Sequence, residues 1–310
     1  MQISNTNYAG KSEPLNEEAM RTYKFRSLEV LDNTMQSEIA KAATAKNLSG
    51  IKVAFNCIPS STIDHLCSES SRYYHSLRFF DKDQNYIILA STKRNHETAT
   101  FLAEEIYERA LARVNMTHAV RKVGISHAPY ARENRRGKSP DASFQLKERY
   151  RMGMDLDQWP QVVIETAFTE SDVDLRRDIK HWLMEGGGAV RLVLGVNVTD
   201  DEFRLRAWSL APEMGTSYRG ELSAHRVGDR WCLKPERTDI TLSFLTLFFR
   251  DPMPEHGEAN LQLLGSDLLA LRDMLEGRIT GVDPAPRNPK PITLPRVSPT
   301  NENSNDLDDV

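Results

Sequence analysis

The feature that most limits what this chain can fold into is the run VRLVLGVNV at 190–198, apolar at almost every position. A strand that reads this way is buried on both faces, so it belongs inside a covered sheet. Upstream, QVVIETAF at 161–168 has the pattern of a second apolar strand, and between the two lies TESDVDLRRDIKHWLMEGGG. There Leu175, Ile179, Trp182 and Leu183 fall on one helical face, and Gly186 to Gly188 can stop the helix in a left-handed cap. Alternation within the first strand puts Val163, Glu165 and Ala167 on one side and Val162, Ile164 and Phe168 on the other. Glu165 is thus a carboxylate set in an apolar strand, and an unpaired buried charge is expensive.

The rest of the chain supplies more strands and three further helical stretches. Residues 15–45 carry many helix formers and no proline, which predicts a helical N-terminal extension. IKVAFNC, LRFFDKDQNYIILAS and AVRKVGIS read as strands, the second with a hairpin around 83–85. RNHETATFLAEEIYERALARV reads as a long helix with Asn95 as its N-cap and Glu97 in its first turn. EFRLRAWSLA, SYRGELSAHRVGDRWCLKP and DITLSFLTLFF continue as antiparallel strands with VGDR as a turn, and ANLQLLGSDLLALRDMLEG as a final helix. From residue 283 the text is proline-rich, polar and acid-ended, the composition of a disordered tail. The expected division is a disordered lead at 1–14, an N-terminal helical and strand extension at 15–76, a core domain at 77–282 and a tail at 283–310.

Composition narrows the class of partner. Hydrophobic residues at 39% and charged residues at 27% describe an ordinary globular protein. No apolar run opens the chain, so neither a signal peptide nor a membrane span is expected, and the expected location is intracellular, cytoplasmic or nuclear. Three cysteines without metal-ligand spacing suit a reducing compartment. A net charge of −4 argues against a protein that grips nucleic acid by bulk positive charge. Between Arg132 and Arg151, however, seven Lys or Arg stand against three acids, so this stretch reads either as a solvated basic loop or as a phosphate-contacting surface. The four tryptophans are too widely spread to form a base-stacking platform.

Asp141 follows Pro140 in SPDASFQL, 24 positions before Glu165. Neighbouring strands lie about 4.8 Å apart, so if PDASFQL and QVVIETAF pair, the two carboxylates converge on one point. Like charges that close do not both stay ionised without a counter-charge. Mg²⁺, or Mn²⁺, resolves this, since Mg²⁺ takes one or two carboxylates, a carbonyl and waters. Each acid also has a plain structural reading: Asp141 as a turn acid after proline, Glu165 as a strand acid paired with an arginine.

Pro140-Asp141, the gap, and Glu165 in VVIET resemble the PD-(D/E)XK, or restriction-endonuclease-like, nuclease superfamily. The flanking pieces RFFD, NHE opening a helix, SPDASF, WPQVVIETAFTES and LRRDIKHWL resemble uncharacterised fungal members, over roughly residues 77–200. The resemblance implies an α/β fold with a mixed central sheet flanked by helices, and a Mg²⁺-dependent nuclease acting on DNA or, second, RNA. It implies Asp141 and Glu165 as metal ligands and a further acid from the preceding helix, for which Glu97 is favoured over Glu104. The superfamily lysine, two positions after the second acid, is replaced here by Ala167. A basic group from the following helix is then expected, Lys180 first and Arg176 second, because both lie on one flank of the apolar face and a lysine can exchange a proton. His96 and His127 are further candidates for lining the site. The missing lysine, the acidic net charge and the helical extension fit an alternative: an inactive module of the same fold that binds nucleic acid or, through its N-terminal helix or C-terminal tail, protein. A hydrolase of a smaller phosphate ester is a third reading.

Overall fold

The computed structural model describes residues 20–44, 51–68, 70–71, 73–91, 94–123, 128–129, 136–147, 159–168, 172–186, 188–199, 201–210, 216–228, 230–234 and 239–271. In chain order these form β1 (Arg21–Lys24), α1 (Leu28–Thr44), β2 (Ile51–Asn56), α2 (Ser60–Leu66), β3 (Leu77–Asp81), β4 (Tyr86–Ser91) and α3 (Arg94–Arg113). There follow β5 (Val120–Lys122), β6 (Ala128–Pro129), β7 (Arg136–Lys138), β8 (Ala142–Leu146), β9 (Val162–Phe168), α4 (Asp172–Glu185) and β10 (Leu192–Val198). The chain goes on through β11 (Glu202–Leu210), β12 (Thr216–Val227), β13 (Arg230–Leu233), β14 (Asp239–Leu242), α5 (Phe244–Phe248), β15 (Leu261–Leu264) and α6 (Gly265–Ala270). The lead at 1–14 and the tail at 283–310 lie outside the described residues, as does His127.

Two mixed sheets carry the architecture. One runs β1-β2-β4-β3-β7-β6 and the other β13-β12-β11-β10-β9-β8-β5, with β14 and β15 as a separate pair. In the larger sheet β9 and β10 are parallel and joined through α4, while β8 pairs antiparallel with β9. The period-2 pattern of β9 sorts its two faces. Val162 and Ile164 pack into the core that includes Leu102, Ile106 and Tyr107 of α3. Val163 and Ala167 pack into a second cluster with Leu175, Ile179, Trp182 and Leu183 of α4. This places Glu165 on the α4 face. Among the described residues no helix is long and apolar enough to cross a membrane.

Three stretches differ from the sequence reading. The expected helix over 15–45 begins only at Leu28, because Arg21–Lys24 pairs in parallel with β2 and Tyr23 packs on Phe55. Ser27 Oγ accepts the Val30 amide and starts the helix there. β2 in turn pairs with β4, so the expected boundary at 76/77 runs through the smaller sheet. DITLSFLTLFF divides at Ser243, whose side chain accepts the Thr246 amide and turns the chain into α5. ANLQLL is not helical: β15 pairs antiparallel with β14, which buries Leu261 and Leu263, and only then does α6 begin.

Candidate active site at the junction of the two sheets

The dipeptide Pro140-Asp141 stands where the chain passes from one sheet to the other. Ser139 donates its amide to Arg78 O, extending the pairing of β3 with β7, and Asp141 donates its amide to Ile164 O, extending that of β8 with β9. Proline fits between them because it has no amide hydrogen to leave unpaired. The chain thus leaves one ladder and joins the next within three residues. Asp141 comes to lie beside Glu165, as expected if the two strands paired.

Asp141 is held from three directions. Arg78 Nη1 of β3 lies 2.8 Å from Oδ1, and His96 Nε2 of α3 lies 3.2 Å from Oδ2. The Thr166 amide donates to Oδ2 at 2.8 Å. Burial would raise the carboxyl pKa, but His96 and Arg78 outweigh it and hold Asp141 well below the usual carboxylate range. His96 sits in the first turn of α3, which is tied to β9 by the Thr100 and Thr166 hydroxyls at 2.8 Å.

Glu165 has a different setting. Its Oε1 accepts the Trp182 indole N–H and lies 3.3 Å from Lys138 Nζ. The same amine lies 2.5 Å from Asp178 Oδ1 on α4 and 5.5 Å from the centre of the Trp182 ring. The amine meets both carboxylates as a compact charge on a flexible stem. Burial pushes the Glu165 carboxyl up to about 7, Lys138 opposes this, and the charges of Asp178 and Asp141 add to it. The two acids of the pair are therefore pushed in opposite directions. Lys138 is held above its ordinary range, because Asp178 and Glu165 outweigh its desolvation, and burial beside Lys138 lowers the His181 imidazole to about 3. Three carboxylates, Asp141, Glu165 and Asp178, thus share a buried space with Arg78, Lys138 and His96.

Of the residues expected at the site, the structure brings Asp141, Glu165 and His96 together. Glu97 is exposed, and its neighbour His96 reaches Asp141 instead, since adjacent helix positions point about 100° apart. Glu104 is engaged with Lys122 at 2.6 Å. Lys180 and Arg176 are exposed; α4 presents Asp178 and, one turn on, Trp182 to the acids. The basic group beside Glu165 is Lys138, on β7 three residues before Asp141. The signal for it was present in RGKSPD: a lysine in the segment that leads into the proline joint.

The pair of hard carboxylate oxygens suits a dication that takes the rest of its shell from water and substrate phosphate. Among the described residues there is no group of three or more His, Cys, Asp or Glu side chains arranged to hold a metal. A dication at the pair would compete with Arg78 and Lys138 for the same oxygens. No family model matches the chain, and a search of curated proteins finds no match.

Proposed function

We propose that the chain is a restriction-endonuclease-like phosphodiesterase that cuts DNA, with RNA as the second candidate polymer, at the Asp141–Glu165 pair. The observation that carries this is the buried Lys138 amine 3.3 Å from Glu165 Oε1, beside an Asp141 delivered by the neighbouring strand. It supplies the basic group that Ala167 does not. The order α3, β5, β8, β9, α4, β10, with β5, β8, β9 and β10 adjacent in one sheet, also supports the reading.

In this scheme Asp141 and Glu165 are the residues that hold Mg²⁺ or Mn²⁺. Bound there, the ion supplies Lewis-acid polarisation of the phosphate and a more acidic water. Arg78, His96 and the Thr166 amide keep Asp141 ionised and fixed. Without the ion, burial raises the Glu165 carboxyl to about 7; a bound dication would hold it ionised. Lys138 stabilises charge developing on the phosphate oxygens. Trp182 holds Glu165 in place through its indole N–H.

One observation favours the alternative, an inactive binding module of the same fold: both oxygens of Asp141 already have internal partners. Calorimetric titration with Mn²⁺, paired with cleavage assays on plasmid, linear duplex, single-stranded DNA and RNA, separates the two. The nuclease reading predicts Mn²⁺ binding and metal-dependent cleavage, both lost in Asp141→Ala/Glu165→Ala. Neither binding nor cleavage by folded wild type would establish the module instead.

A further inference from the structure

A second charged cavity lies away from the carboxylate pair, where the start of β10 meets β12 and the Ser243 turn. Its volume is about 160 Å³, and its lining includes Arg191, Ser209, Arg219, Ser243, Thr246 and Asn260 but no Asp, Glu or His. Arg191, just before β10, and the exposed Arg219 of β12 therefore border a partly open space with no internal counter-charge. Among the described residues no carboxylate forms an ion pair with either one, and the buried Arg191 Nε has no hydrogen-bond partner. Elsewhere the buried Arg206 and the half-buried Arg78 and Arg250 each meet a carboxylate, as the half-buried Arg191 and the exposed Arg219 do not.

The neighbouring groups hold both arginines in place. Arg191 stacks on the Phe249 ring, 4.4 Å from its centre, which fixes the plane of the guanidinium. Arg219 Nε donates to Ser209 Oγ at 2.5 Å, so its terminal nitrogens keep their hydrogens for another acceptor. Ser243 Oγ and Asn260 Oδ1 accept the backbone amides of Thr246 and Phe244. These bonds use the acceptors of the two side chains and leave the Ser243 hydroxyl hydrogen and the Asn260 amide hydrogens as donors. The cavity is positive and rich in donors.

We infer that this cavity binds a phosphate group through Arg191 and Arg219. Donors arriving from several directions match a tetrahedral oxyanion better than a planar carboxylate, and arginine forks are suited to phosphate oxygens. The space is large enough for a phosphate ion. The group is either free phosphate or the terminal phosphate of a larger ester that extends outside. The inference stands apart from the nuclease reading, because it uses none of the same residues.

The test is calorimetric titration of the full chain, without metal, at constant ionic strength. The probes are inorganic phosphate, a 5′-phosphorylated oligonucleotide and the same oligonucleotide without its phosphate. Wild type is expected to bind phosphate, with Arg191→Gln and Arg219→Gln each weakening it at least tenfold. Lys180→Ala, at an exposed position outside both sites, is expected to leave it unchanged. Preference for the phosphorylated over the unphosphorylated oligonucleotide identifies the ester end as the ligand, and binding of inorganic phosphate alone identifies the free ion. Equal affinity in wild type and both arginine variants, each shown to be folded by circular dichroism, overturns the site. So does absence of binding by wild type to every probe.

Discussion

Replacing Lys138 by methionine removes one charge while nearly preserving the length and apolar stem of the side chain. The structure allows the consequence to be sized. Lys138 is 13% exposed, Glu165 8% and Asp178 23%, so water screens these contacts poorly. At an effective dielectric near 20, the gross attraction is about 7 kcal/mol for the 2.5 Å contact and about 5 kcal/mol for the 3.3 Å contact. Desolvation of the amine offsets much of this, and removing one partner of a buried pair leaves a net cost of ~3–5 kcal/mol. With a urea m-value of about 3 kcal/mol per M, the unfolding midpoint at pH 8 should fall by roughly 1–1.7 M. At pH 5 the loss should be smaller, because Glu165 can then neutralise itself by binding a proton. Adding Asp178→Asn to Lys138→Met should recover part of the loss, since the two residues act as one unit. A loss below about 1 kcal/mol at pH 8 is the size expected of a solvated surface pair and would refute the buried amine.

Two further outcomes follow from the same geometry. Glu165 binds its proton more tightly folded than unfolded, since burial lifts its carboxyl from 4.5 to about 7. Its contribution to stability is therefore full below pH 4.5 and lost as pH rises through 7. Urea unfolding from pH 5 to pH 8 should show wild type losing about 2–3 kcal/mol relative to Glu165→Gln over that window; parallel curves would contradict the assignment. Gly137 lies on β7 directly before Lys138, and a Cβ there would stand 2.3 Å from the Phe80 ring. Gly137→Ala should cost about 1–3 kcal/mol in urea unfolding, and Phe80→Leu added to it should restore part of the loss. No loss in the single variant would mean that β7 does not pack against Phe80 as described.

How far the sequence could be read depended on whether the controlling contacts were local. The apolar run of β10 and the alternation in β9 pointed to buried strands, and the amphipathic face of α4 needed only helical spacing. Asp141 and Glu165 came together because their strands pair, which proline, spacing and strand pattern already suggested. In the sequence Lys138 is one charge among several in a basic stretch. Its role depends on β7 belonging to the smaller sheet while β8 belongs to the larger, a tertiary fact with no local signal. Arg78 was hidden for the same reason, as a β3 residue reaching across to a strand 63 positions later in the chain. The helical flank that favours Lys180 and Arg176 follows from the apolar stripe alone. The side of that stripe nearest the acids carries Asp178 instead. ANLQLL gave a misleading helix signal because its apolar residues fit either period until β14 supplied a partner.

Cleavage of supercoiled plasmid by the purified chain in Mg²⁺ tests the central claim most directly, with wild type compared against Asp141→Asn and Lys138→Ala. The account predicts relaxation by wild type, a loss of at least a hundredfold in Asp141→Asn, and a similar loss in Lys138→Ala, with Lys180→Ala close to wild type. Cleavage that survives in both Asp141→Asn and Lys138→Ala, or that disappears with Lys180→Ala alone, would contradict an active site built on Asp141, Glu165 and Lys138.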